Sequence, residues 1–161
     1  MRKFAIQVIL LLVVIAGAFF FFKQDGQIPD LPFLPQAPVF KQLKVNNVVL
    51  KVEIADTQTK RSKGLGGRES LASDEGMLFV FDKPDKYPFW MKGLTFPLDF
   101  IWIRGDTVVD ITPDASPPTV GQQDSSLIIF QPKEEVNKVL EANGGTVQRI
   151  NIKVGDVISL N

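Results

Sequence analysis

Nineteen consecutive positions, Phe4 to Phe22, carry Gln7 as their only polar side chain. Arg2 and Lys3 precede the run, and Lys23 and Asp25 follow it. As a helix the run would measure roughly 28 Å, close to the ~30 Å of a bilayer's hydrocarbon core. A membrane span is therefore expected over residues 4–22, with residues 1–3 in the cytoplasm. The positive charge on the N-terminal side places the rest of the chain outside it. Ala16-Gly17-Ala18 also offers the small residues of a cleavage site, and a cut near Ala18 would give a secreted protein. Phe19 to Phe22 continue the apolar run past that site, which favours an uncleaved anchor. With no cysteine in the chain, a lipid-modified cysteine cannot be the anchor.

Residues 23–42 read as a stalk. Pro29, Pro32, Pro35 and Pro38 recur every third position, the period of a polyproline II helix. At ~3.1 Å per residue the stretch from Ile28 to Phe40 would hold a following domain about 30 Å from the membrane. The same stripe could serve a proline-recognition domain, but outside the cytoplasm a semi-rigid spacer is the simpler expectation.

Residues 43–161 leave 119 positions for one domain, enough to bury a core without metal or disulfide support. The chain also has no histidine. That removes the usual general base near neutral pH, the commonest transition-metal ligand and every His-containing triad. Only carboxylates remain to hold a metal, and no metal or cofactor is expected. From Leu43 onward there are 14 Lys plus Arg against 16 Asp plus Glu. A nucleic-acid binder should show a clustered positive excess, so nucleic acid is not expected as a partner.

The domain reads as mostly β. Leu43 to Ala55 alternates around Asn46-Asn47, a pair suited to a tight hairpin turn. Asp56 or Thr57 could cap a short helix over Gln58 to Lys63, ended by Gly64. Met77 to Phe81, Phe89 to Lys92 and Phe100 to Ile103 read as strands, and Arg104-Gly105-Asp106 turns into a further strand over Thr107 to Ile111. Asp114 to Ser126 reads as a surface loop and Leu127 to Phe130 as a strand. Pro132 to Asn143 reads as a helix, with Glu134 and Glu135 early, Val136, Val139 and Leu140 on one face, and Gly144-Gly145 at its end. Val157 to Leu160 closes the chain as a strand. The expected fold is a compact antiparallel β-sandwich or barrel with two or three short helices.

Four fragments stand out in order. They are Arg61-Ser-Lys-Gly-Leu-Gly-Gly-Arg68, Gly76-Met-Leu-Phe-Val-Phe81, Phe89-Trp-Met-Lys92 leading to Pro97-Leu-Asp-Phe-Ile-Trp-Ile103, and Val139-Leu-Glu-Ala-Asn-Gly-Gly-Thr146 followed by Ile152-Lys-Val-Gly-Asp-Val157. Together they resemble the family called domain of unknown function 192, over roughly Leu50 to Leu160. Many relatives carry Asn-Thr after the Trp-Met-Lys, where this chain has Gly93-Leu94. The resemblance implies a small β-sandwich or barrel, exported or membrane-anchored, and implies no established activity.

Among the signature's polar residues, Asp99 stands in an apolar stretch and needs a partner if buried. Arg61 or Arg68 could supply it as a structural pair. Alternatively Arg68 and Lys92 bind an anionic group, Trp90 offers a stacking face and Asp99 accepts a hydrogen bond. Arg61, Arg68, Trp90, Lys92 and Asp99 are thus the candidate ligand-binding residues, and none is assigned as catalytic. The function expected is a membrane-tethered binding or interaction module for a protein or small molecule, such as an anionic compound or a glycan. The alternative is a small hydrolase acting on a glycan-type substrate, with Asp99 and one of Glu69, Asp74 or Glu75 as its carboxylate pair.

Overall fold

The computed structural model describes residues 38–161. The expected membrane span over 4–22 and most of the proline stripe lie outside the described residues. Among the described residues no helix is long and apolar enough to cross a membrane.

The domain begins with the expected hairpin, β1 (Phe40–Val45) and β2 (Val48–Ala55), with Val45 opposite Val48. Asn46 takes a φ of 54°, the left-handed turn conformation that asparagine tolerates better than most residues. Helix α1 (Gln58–Lys63) follows. The Thr57 hydroxyl accepts the Lys60 N–H at 3.3 Å, and Gly64 ends the helix at a φ of 51°. Then come β3 (Glu75–Asp85), β4 (Leu98–Arg104), β5 (Thr107–Ala115), a 3-10 turn at Asp124–Ser126, β6 (Val136–Asn143), α2 (Thr146–Ile150) and β7 (Ile158–Leu160).

All seven strands form one sheet in the order β5-β4-β6-β3-β2-β1-β7. It is a curled half-barrel rather than a two-sheet sandwich. Near one end its two edges meet. Thr107 bridges Val157, and the Val108 N–H donates to the Asp156 carbonyl at 2.8 Å. Pairing is antiparallel except between β2 and β3, which run parallel. Parallel neighbours need a long crossover, and residues 56–74, containing α1, provide it.

Three expectations change. The segment from Pro132 is not a helix; Val136–Asn143 is an interior strand, between β3 and β4. Val136, Val139 and Leu140 do match a helical stripe, but a strand buried on both faces shows the same residues without alternation. Phe89–Lys92 and Leu127–Phe130 are not strands either. They meet through one antiparallel bridge between Phe89 and Phe130. Finally, β5 runs on to Ala115, and β1 starts at Phe40, within the expected stalk.

The two faces carry separate cores. Leu43, Val52, Leu78, Ile101, Leu140 and Ile158 pack inside the curl, joined by Ile152 after α2. Residues of both edge strands, Val108 and Ile158, share this cluster, as an inward face requires. Phe79, Phe100, Trp102 and Val139 face outward and are covered by Leu65, Leu71, Phe89, Met91 and Leu94 from the loops. Phe89 meets Phe79, Phe100 and Trp102 edge-on, the first at 4.9 Å between centroids, while Phe100 and Trp102 stack.

Candidate functional site

The outward core is not completely covered. Between α1 with its following loop, the middle of β3 and the segment 87–94 lies a cleft of about 850 Å³. Five aromatic residues contribute to its walls, beside charged and polar ones. Phe79 and Phe81 come from β3, and Tyr87, Phe89 and Trp90 from the segment opposite. Phe81 and Tyr87 stack at 3.6 Å between centroids, while Trp90 remains 52% exposed.

The cleft also contains one buried carboxyl. Glu141 lies on the outward face of β6, with Met77 of β3 and Phe100 of β4 as its cross-strand neighbours. The residue is only 4% exposed, yet it lines the cleft. Among the described residues no hydrogen bond or ion pair reaches its carboxyl, and since no fully buried side-chain oxygen of the domain lacks a partner, its oxygens open onto the cleft. Burial pushes its pKa up to about 8, with the nearby Arg68 charge pulling weakly the other way. At neutral pH it is mostly a neutral acid, able to donate one hydrogen bond and accept others.

Of the five residues singled out in the sequence, Arg61, Trp90 and Lys92 line this cleft. Arg61 is already committed. Its guanidinium donates to the backbone carbonyls of Asp56 and Val80 at 2.9 and 2.8 Å and lies 5.1 Å from the Phe81 ring centroid. Lys92 pairs with Asp124 of the 3-10 turn. Arg68 sits behind the cleft and grips Glu53 of β2 with both Nη1 and Nη2, at 2.6 and 2.8 Å.

Asp99 belongs to the other face. It is fully buried, and no arginine pairs with it. Its carboxylate accepts the backbone N–H groups of Asp114, Gly145 and Val147 at 2.8, 3.2 and 2.7 Å. It therefore ties β5 and the start of α2 to β4. Glu141, the one buried acid of the cleft, lies within the fourth signature fragment. Its signal was a lone carboxylate between Leu140 and Ala142, which becomes conspicuous only once the segment is read as an interior strand.

The family model DUF192, described as Uncharacterized ACR, matches residues 41–160. The chain belongs to this family. As a DUF192 domain it is similar to two solved structures. One is a candidate transcription regulator from Sinorhizobium meliloti 1021, 29% identical, with a TM-score of 0.70 over 79% of this chain and 98% of that one. The other is a protein of unknown function from Novosphingobium aromaticivorans DSM 12444, 28% identical, with a TM-score of 0.68 over 83% and 99%. None of the curated proteins matches the chain.

Proposed function

We propose that this DUF192 domain is a small-molecule-binding module, tethered by residues 4–22 and standing outside the cytoplasmic membrane. The ligand lies in the aromatic cleft, with its polar end on Glu141. The observation that carries the reading is the Glu141 carboxyl, which opens onto the cleft from a residue only 4% exposed and has no protein partner there. Aromatic side chains with convergent polar groups among them are a common make-up of a small-molecule site. Trp90 offers the ligand an exposed flat face, and an anionic group or a glycan ring at the mouth would meet Lys63, Lys83 or Trp90.

Asp99, spent on three backbone N–H groups, lends little support to a paired-carboxylate hydrolase. Binding without chemistry is the reading the geometry favours.

A thermal-shift screen of the full-length protein in mild detergent, against metabolites and glycans, tests it. Hits should weaken with Trp90→Ala and with Glu141→Gln. A hit indifferent to both substitutions would lie elsewhere and overturn the reading. The tether is tested separately: the protein should stay in the membrane pellet after a carbonate wash, whereas a mature N-terminus at Phe19 would refute it.

A further inference from the structure

Resting on the cleft reading above, we propose that Glu141 is the seat of a ligand's ammonium group, and that the aromatic walls hold the rest of a cationic organic molecule. Three observations converge on this. Two of the cleft's cations are already engaged, Arg61 by two carbonyls and Lys92 by Asp124, and the other two, Lys63 and Lys83, are exposed at its rim, so an anion finds no free buried partner. The one acid of the cleft that is buried, Glu141, has no hydrogen-bond or ion-pair partner among the described residues. The walls bear five aromatic rings, whose negative faces attract cations, organic ammonium groups above all.

The charge around Glu141 is balanced to accept one more cation. Behind it stands Arg68, already neutralised by Glu53 of β2 and influenced also by Glu75 of β3. Its cross-strand neighbours on β3 and β4, Met77 and Phe100, are uncharged. Lys63, Lys83 and Asp82 lie toward α1 and the outer part of β3. An ammonium at the floor supplies the counter-charge that lets the buried acid ionise, so binding expels the carboxyl proton to solvent. A neutral hydroxyl or an anion would leave that proton in place.

Three six-carbon probes separate these cases: hexylammonium, hexanoate and hexanol, titrated by calorimetry into full-length protein at pH 7 in buffers of different ionisation enthalpy. Hexylammonium should bind at least tenfold more tightly than the other two and release close to one proton per ligand. Glu141→Gln, which keeps size and shape, should lower hexylammonium affinity at least tenfold and abolish the proton release. If hexanol or hexanoate binds as well as hexylammonium, with loss of binding in Trp90→Ala, the cleft reading stands and the ammonium assignment falls. If hexylammonium binds without proton release, or equally well to Glu141→Gln, the assignment also falls. If no probe binds, both readings fall.

Discussion

Gly76 of β3 lies so close to Glu141 of β6 that a Cβ at position 76 would sit 2.7 Å from the Glu141 carbonyl oxygen and 3.1 Å from Leu140 Cδ1. The missing side chain lets the two central strands close up, and this fixes the backbone that carries the cleft's acid. Gly76→Ala must push β6 away. A loss of about 1–3 kcal/mol is expected in urea denaturation, together with weaker binding of any cleft ligand. An unchanged midpoint would show that the strands separate without cost.

Asp99→Asn tests the inward face. The amide presents an N–H₂ where three backbone N–H groups need acceptors, so at least one loses its partner. A loss of about 1–3 kcal/mol is expected, with cleft binding unaffected at temperatures where the variant is folded. Loss of binding in the folded variant would connect Asp99 to the site after all.

Glu141 gives the stability curve a predictable slope. Its folded pKa, about 8, lies above its ordinary value, so the folded state holds a proton that the unfolded state has lost. The stabilising contribution is fully present below the unfolded pKa of about 4.5 and is lost as pH rises through 8. The difference in stability between Glu141→Gln and wild type should therefore shift in favour of the variant between those pH values, at up to about 1.4 kcal/mol per pH unit. Above pH 8 it should level off. Parallel curves across the whole range would show that the acid is not held neutral.

Arg68 and Glu53 should be coupled. Each is mostly buried, and each single change leaves the other charge behind. In a double-mutant cycle with Arg68→Met and Glu53→Gln, the double variant should lose less than the sum of the singles, by about 1–3 kcal/mol. Additive losses would reduce the pair to a surface contact.

The fold was legible wherever one residue type dictates a local backbone. Asn46-Asn47 announced the hairpin, Thr57 the helix start, and Gly64 its end. The sheet's interior was not legible, because β6 is apolar on both sides and lacks the alternation that marks a strand. The parallel β2–β3 pair was hidden for a related reason: nothing in either strand records its neighbour's direction. Of the site, Trp90, Arg61 and Lys92 were found through the signature. Asp99 was rightly seen to need partners, but backbone donors leave no trace in a sequence. Glu141 does not stand out as a site residue in a segment whose apolar spacing reads as a helix.

The position of β6 also governs how the chain can be made. Synthesis runs from the N-terminus, so β1–β2–β3 and the β4–β5 hairpin emerge first as separate pieces. The edges of β3 and β4 that later clasp β6 stay open until residue 143 has appeared. Those edges carry Leu78, Phe79, Ile101 and Trp102, and open apolar strands of this kind invite pairing with other chains. A product truncated before Val136 is thus no smaller functional unit but an aggregation-prone fragment, and assembly of the whole waits on its second-to-last strand.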